Sequence, residues 1–386
     1  MNKLGFGYLR LPWLTPDPDS ELDFELICRM TDAFLAGGGN YFDTAYTYLG
    51  GMSEKALKKC LVERHPRESF RIADKMPTWM VKDRADLRRF FDEQKMRCGI
   101  DYFDAYLLHS LNKENYEIAE KFDMFNFLRE VKANGEARKI GFSYHDSPEL
   151  LDEILTAHPC VDYVQLQINY LDWHSPSLQA QRLYDPAAKH GKQIVVMEPV
   201  KGGSLATLPE EEAAKLKAMD ENESIASWAI RFAQSQPAVE IVLSGMNSME
   251  QMNDNLRDIE PLTDDEVRVL MDVADSLRKT IAIPCTGCAY CTENCPMNIP
   301  IPQYFALYNE YARAPREVWK MEHLYQNLAK THGRASDCIK CGQCEQSCPQ
   351  KIQITDWMEK VAVAFGEEVE KAYDRVRNNP GLRKKK

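Results

Sequence analysis

Two runs of cysteine toward the C-terminal end constrain this chain more than any other feature. Cys285, Cys288, Cys291 and Cys295 form the first, with Pro296 after it; Cys338, Cys341, Cys344 and Cys348 form the second, with Pro349 after it. Both read C-x2-C-x2-C-x3-C-P, a spacing that holds iron–sulfur cubes. Thiolates at i, i+3 and i+6 of a tight loop point into one cavity and take three corners of an Fe4S4 cube. The fourth cysteine precedes a proline that turns the chain away, so it serves the other cube. Zinc needs four ligands, usually as two separate pairs, and a disulfide framework does not require two identical spacings. The expectation is two [4Fe-4S] clusters. One sits on Cys285, Cys288, Cys291 and Cys348, the other on Cys338, Cys341, Cys344 and Cys295. The other four cysteines, Cys28, Cys60, Cys98 and Cys160, read as small core or surface residues. This usage suits a reducing cytoplasmic setting.

Upstream of the cysteines, short apolar strands alternate with amphipathic helices. Strands are expected at 3–6, 41–44, 71–75, 102–109, 139–143, 163–169, 193–198 and 240–244. Helices are expected at 23–36, 53–64, 83–98, 123–134, 148–158, 177–190 and 224–235, with two more at 249–257 and 264–279. Continuous apolar runs such as Ile194 to Met197 mark strands buried on both faces, and strand–helix alternation gives a parallel sheet. Eight such units in about 250 residues fit a (β/α)8 TIM barrel. A doubly wound sheet would more often carry G-x-G-x-x-G after its first strand, and no such run occurs here. The fold class is therefore α/β, a barrel over 1–280 followed by a small α-helical ferredoxin-like iron–sulfur domain over 281–386. Helical text at 303–312 and 316–330 fills the insert between the cysteine runs, and 356–377 reads as a helical tail.

Charge narrows the partners. The net charge of -11 speaks against nucleic acid, and the basic run at 383–386 reads as a solvated tail. No apolar stretch reaches transmembrane length, and the opening residues lack a signal-type apolar region, so no membrane partner is expected.

In a barrel of this kind, chemistry sits at the C-terminal ends of the strands. Asp43 ends the second strand and Tyr48 lies in its loop; Lys75 ends the third and His109 the fourth. A phenol titrates near pH 10 when unperturbed, and a neighbouring ammonium lowers that value. A carboxylate holds the ammonium in place, and an imidazole orients a carbonyl for protonation. Trp13, Trp79 and Trp173 lie in loops on the same side, as pocket walls or as loop packing.

These residues carry a resemblance to the aldo/keto reductase family, in the branch with a C-terminal bacterial-type ferredoxin domain. Gly5 to Gly7 with Arg10-Leu-Pro12 resembles the family's opening, and Phe42 to Tyr48 with Ser53-Glu54 its Asp…Tyr segment. Lys75 and His109 match the other two tetrad positions, and the resemblance covers about residues 3–280. It implies that Tyr48 is the general acid, tuned by Lys75 and Asp43, with His109 orienting a small-molecule carbonyl or alcohol. It implies NAD(P)H as hydride carrier, with Ser143 and Gln165 at the nicotinamide and Gly245, Gln251 and Asn255 around the adenosine. At Gly245 and Gln251 the family often places cations for the cofactor phosphate, and neither is one here. That leaves NADH, NADPH or a flavin open. Lys201 reads as a solvated loop lysine. Three functions follow: a reductase whose clusters are structural, an oxidoreductase relaying electrons to a ferredoxin or flavodoxin partner, or a redox-sensing protein with a vestigial barrel site. The intact tetrad and the doubled cluster motif favour the second.

Overall fold

The computed structural model describes residues 3–15, 20–175, 178–257, 260–313 and 318–366. The basic run at 383–386, the stretch 367–377 of the expected tail, residue 177 of one expected helix and residues 316–317 of another lie outside the described residues. The chain divides into two compact units. One comprises Met1–Ser175, Gln179–Lys201 and Leu205–Met271; the other comprises Pro176–Leu178, Gly202–Ser204 and Asp272–Lys386.

The first unit is a closed parallel barrel whose eight strands follow chain order. They are β1 (Leu4–Gly7), β2 (Tyr41–Asp43), β3 (Arg71–Met76), β4 (Phe103–Leu111), β5 (Ala137–Tyr144), β6 (Tyr163–Gln167), β7 (Gln193–Met197) and β8 (Val239–Ser244). Pairing of Leu4 with Val242 and of Phe6 with Ser244 closes the ring. The helices of this part of the chain are α1 (Phe24–Ala36), α2 (Met52–Leu57), α3 (Ala85–Cys98), α4 (Lys113–Lys121), α5 (Met124–Ala133), α6 (Pro148–Ala157), α7 (Ala180–Lys189), α8 (Glu210–Met219), α9 (Ile225–Gln234), α10 (Met249–Asn255) and α11 (Asp264–Thr280). Several of their starts are chemically marked. Asp23 accepts from Leu26 N at α1, and Ser147 accepts from Leu150 N at α6, where Pro148 occupies the first turn.

The barrel interior is filled by Tyr41, Ala73, Ala105, Leu107, Tyr163, Val195, Ile241 and Leu243. Side chains along a strand alternate faces, so the residue two positions on from an interior one also points inward. That places Asp43 after Tyr41, Lys75 after Ala73, His109 after Leu107 and Gln165 after Tyr163, all toward the C-terminal mouth. Ser143 follows Gly141 in the same way. A β-carbon at Gly141 would stand 2.2 Å from the Tyr163 carbonyl oxygen, so the close approach of the β6 backbone requires glycine there.

Several local features differ from the sequence reading, among them helix α8 at Glu210–Met219, where no helix was expected. The fourth strand continues past His109 to Leu111. Its register against β5 shifts between Leu108 and Leu111, and Ser110 takes φ 57°. His109 is thus a residue within a bulged strand, not its last one. Helix α4, capped by Asn112 through Asn115 N at 2.8 Å, follows the strand where no helix was expected, and of its residues only Ala119 is buried. The helix expected at 53–64 instead breaks after Leu57 into a π turn at Lys58–Val62.

The second unit contains α12 (Tyr290–Glu293), α13 (Ile301–Arg313), α14 (Val318–Leu328), α15 (Gln343–Gln346) and α16 (Ile354–Ala364). Its own core gathers Ile283, Ile299, Tyr304, Phe305, Tyr325, Ile352, Met358, Val361 and Phe365. The Asn309 side chain accepts from Ile283 N at 2.8 Å and donates to Ile283 O at 2.7 Å, fixing the entry to the first cysteine run.

Candidate active site and cysteine-lined cavities

At the barrel mouth, Lys75 Nζ makes three contacts: Asp43 Oδ1 at 2.5 Å, the Thr44 carbonyl at 2.8 Å and Tyr48 Oη at 3.3 Å. An ammonium has three protons, and these contacts use all of them. Lysine and aspartate are both buried. Burial pushes the Asp43 carboxyl above its usual range, with the Lys75 ammonium opposing the rise. Because Tyr48 Oη accepts from Lys75, its own proton is directed elsewhere. The His109 ring lies edge-on to the Tyr48 ring at 5.6 Å and beside the Trp79 ring at 5.2 Å. Burial, the Lys75 charge and His145 hold His109 well below the ordinary histidine range, so it is a neutral imidazole. Trp79 is 44% exposed, which fits a pocket wall, whereas Trp173 packs on Tyr184 and Phe232.

The turn that presents Tyr48 is tightly constrained. Leu49, Gly50 and Gly51 all have positive φ, at 53°, 62° and 83°. The two glycines adopt that region without a β-carbon penalty. Ser53 then latches the segment: its hydroxyl donates to the Tyr8 carbonyl at 2.9 Å and shares a 2.7 Å hydrogen bond with Thr44 Oγ1.

Behind Lys75 is a buried pair of acids that the sequence reading missed. Asp74 Oδ1 accepts from Lys75 N and Gln94 Nε2, both at 2.7 Å, and Glu54 Oε2 accepts from Arg97 at 2.9 Å. Burial pushes the Glu54 carboxyl up to about 7, and burial together with Glu54 raises Asp74 well above its usual range. Oxygens of the two carboxyls lie within 4.8 Å of each other in this dry site, where two negative charges together are disfavoured. The available signal was a charged residue, Asp74, inside the apolar text of a strand buried on both faces.

Ser143 and Gln165 pair in register on β5 and β6, and both are buried. Ser143 Oγ accepts from Ser110 N at 2.7 Å. Among the described residues, Gln165 Oε1 has no hydrogen-bond partner, and neither do His109 Nδ1 or Asp43 Oδ2. An orphaned buried amide oxygen at the mouth suits a carboxamide N–H. Beyond β8, Gly245 and Gln251 are exposed and Asn255 is buried. Gln251 Oε1 accepts from Asn247 N, and Asn255 Nδ2 donates to Ser244 Oγ at 2.7 Å. A β-carbon at Gly245 would stand 3.3 Å from three carbons of the Arg10 side chain, so a cation-bearing stem lies against this position. Lys201 is not a solvated lysine. It is 2% exposed, and its Nζ lies 2.7 and 2.8 Å from the two oxygens of Asp172. Gln167 and Asn169 also donate to Asp172. Desolvation of a loop ammonium is tolerated there because a buried carboxylate faces it.

In the second unit, the eight motif cysteines line two cavities and none is in a disulfide. Cys285, Cys288, Cys291 and Cys348 line one, with Phe305 and Ile352; Cys295, Cys338, Cys341 and Cys344 line the other, with Ile299 and Met358. The two runs share one backbone geometry. Positive φ recurs at Gly287 and Lys340, at Ala289 and Gly342, and at Asn298 and Lys351, the same offsets in each run. Such turns face backbone N–H groups inward, and Gly287 N donates to Cys285 Sγ at 3.4 Å. Asn294 Nδ2 bonds Ser347 Oγ across the runs. Burial and neighbouring thiols push Cys344 up to about 12, and Cys291 is raised for the same reasons. Four sulfurs in an apolar cavity, costly to ionise without a metal, are a donor set suited to an iron–sulfur cube.

The profile of the aldo/keto reductase family matches residues 3–275. The chain belongs to the aldo/keto reductase family. A second profile, that of a 4Fe-4S dicluster domain, matches residues 284–352. An aldo-keto reductase of Mycolicibacterium smegmatis is 31% identical over 199 residues, which cover 51% of this chain and 65% of that protein. The glyoxal reductase of Bacillus subtilis is 26% identical over 192 residues, or 49% and 62% of the two chains. The chain thus spans slightly less than two thirds of these curated relatives. Among solved structures, the holo form of an aldo-keto reductase from Bacillus halodurans superposes with TM-score 0.58 at 24% identity, covering 70% of this chain and 91% of that one. One from Klebsiella pneumoniae in complex with NADPH gives 0.55 at 18% identity, covering 70% and 90%. At these identities the likeness concerns the barrel fold. No helix among the described residues is long and apolar enough to cross a membrane.

Proposed function

We propose that this aldo/keto reductase interconverts a small-molecule carbonyl and its alcohol with a nicotinamide cofactor, and that two [4Fe-4S] clusters relay electrons to an external carrier. The observation that carries the barrel chemistry is the single ammonium joining Asp43, the Thr44 carbonyl and Tyr48 Oη. Lys75 stabilises negative charge on Tyr48 Oη, so the phenol gives up its proton readily to a carbonyl oxygen. Asp43 keeps the ammonium in place, and neutral His109 orients the carbonyl. Trp79 screens that side from water. Gln165 and Ser143 would hold the carboxamide of the nicotinamide, with Gly245, Gln251 and Asn255 at its adenosine end. A bound nicotinamide would supply a hydride to the carbonyl or accept one from the alcohol, and each cube would exchange single electrons, the relay drawing on the oxidative direction. Cys285, Cys288, Cys291 and Cys348 would hold one cube and Cys338, Cys341, Cys344 and Cys295 the other, following the cavity linings. Two redox centres exceed what a structural staple requires, which supports the relay. A ferredoxin or flavodoxin would then serve as partner, in the cytoplasm, and a flavin in place of nicotinamide would split an electron pair more easily.

The test is Tyr48→Phe. It should keep fold and iron and lose turnover by roughly a hundredfold or more, the scale of a positioned general acid. Wild-type turnover would remove Tyr48 from the chemistry. Cys288→Ser and Cys341→Ser then separate relay from support: full turnover with the physiological acceptor would make the clusters structural.

A further inference from the structure

We propose that Cys28 and Cys60 form a dithiol site in the barrel unit that a hydroperoxide oxidises reversibly to a disulfide, separate from the eight cysteines of the cavities. Cys28 lies on α1 and Cys60 in the π turn Lys58–Val62 after α2. Their sulfurs are 2.8 Å apart, across 32 positions of sequence. A disulfide bond measures about 2.05 Å, so closure asks for less than an ångström of sulfur movement.

The surroundings hold the pair in place. Arg64 Nη1 donates to the carbonyls of both cysteines, at 3.3 and 3.2 Å, while Nη2 binds Asp32 at 2.7 Å. One guanidinium therefore clamps both backbones with the thiols facing each other. The π turn adds a residue to the helical circuit, and such widened turns recur at functional sites. Exposure differs between the partners. Cys28 is half-buried, whereas Cys60 is buried and its thiol donates toward Phe24 O at 3.6 Å. Burial and the adjoining Cys28 sulfur raise the Cys60 thiol far above the usual range, so Cys60 stays protonated while Cys28 meets solvent. This asymmetry sets the order of events. The Cys28 sulfur attacks one peroxide oxygen; the O–O bond breaks, leaving a sulfenic acid on Cys28 and releasing one water, or an alcohol from an organic hydroperoxide. The Cys60 sulfur then displaces the sulfenic oxygen, the S–S bond forms, and its thiol proton leaves with that oxygen as water. Two thiols are oxidised by two electrons, and the peroxide is reduced by the same two. Cys98 provides the contrast: it is fully buried and its sulfur faces Asp74 Oδ2 at 3.6 Å.

The experiment treats the full chain, with its clusters loaded and under anaerobic conditions, with an equimolar addition of hydrogen peroxide. Acid quench, alkylation and digestion without reductant precede mass spectrometry. The expected product is one cross-linked peptide joining Cys28 to Cys60, lighter by two hydrogens than its two thiol peptides and released by dithiothreitol. In Cys60→Ser, Cys28 should instead be trapped as a sulfenic acid by dimedone; in Cys28→Ser, Cys60 should remain a thiol. An unchanged thermal unfolding transition of the barrel unit in each variant reports an intact fold, and the wild-type cross-link stands as a test if a variant fails to fold. Recovery of Cys28 and Cys60 as singly alkylated peptides, at the same rate as Cys98 and Cys160, would overturn the proposal. Cross-links from Cys28 to other cysteines in equal yield would do the same.

Discussion

Glu54→Gln should flatten the dependence of stability on pH. The folded protein pushes the Glu54 carboxyl from 4.5 up to about 7, because burial disfavours its charged form. The folded state therefore binds this proton more tightly than the unfolded chain does. Stability from that preference is complete below the unfolded value and is lost as pH rises through the folded one. A gap of about 2.5 units at about 1.36 kcal/mol each amounts to roughly 3 kcal/mol between about pH 4.5 and pH 7. Asp74 is raised by burial and by Glu54, so the two titrate as a pair and add in the same direction. Glutamine keeps the shape and can donate to Asp74, but it carries no proton to lose. Its weaker bond to Arg97 shifts the curve by a constant and leaves the slope as the readout. Urea unfolding of cluster-loaded protein, followed by tryptophan fluorescence from about pH 5 to pH 8, should show wild-type stability falling across the window. Glu54→Gln should fall much less, and Glu54→Gln with Asp74→Asn least. An infrared band of a protonated carboxyl should persist to near neutral pH in the wild type and weaken in the single variant. Parallel stability curves for wild type and Glu54→Gln would refute the raised Glu54 carboxyl.

Three further outcomes follow from the geometry. The double variant Cys285→Ser with Cys348→Ser should keep one cube, about four of eight irons, because both cysteines line the same cavity; loss of all iron would mean that each run serves its own cube. Asp172→Asn should lower the unfolding free energy by about 3–5 kcal/mol, the cost of stranding a buried charge, since Lys201 Nζ would lose its carboxylate; a change within 1 kcal/mol would show that the loop opens to water, and urea midpoints decide. Cofactor titrations should show little preference between NADPH and NADH, with Gly245 and Gln251 at the phosphate end. A hundredfold preference for NADPH, about 2.7 kcal/mol, would instead assign the phosphate to Arg10, whose stem lies against Gly245.

Local periodicity and spacing carried much of this architecture into the sequence. The apolar strands and the cysteine intervals are short-range patterns, and both are set by one chain segment at a time. Asp43, Lys75 and His109 were visible because strand alternation brings every second residue to the mouth. What remained hidden depends on contacts between distant segments. Lys201 meets Asp172 across 29 positions, and nothing in the text around Lys201 announces a buried carboxylate. Glu54 and Asp74 belong to separate elements, and although Asp74 stands out within its strand, nothing in the local text pairs it with Glu54. The extension of β4 past His109 depends on Ser110 taking a left-handed turn, which serine rarely does and which no propensity would anticipate.

The interleaving of the cysteine runs also bears on when the protein can be completed. Each four-sulfur cavity includes a cysteine from the opposite run, Cys348 in one case and Cys295 in the other. A nascent chain that has passed Cys295 but not yet reached Cys338 holds two incomplete sets of sulfurs and no finished cavity. Neither can close before Cys344 has been made, and the first must wait for Cys348. Iron delivered before the second run has been made would meet incomplete sets of thiols, so a four-sulfur cavity can be filled only once that run is present. A messenger truncated anywhere before the codon for Cys348 would yield a chain able to form the barrel strands yet lacking a complete first cavity.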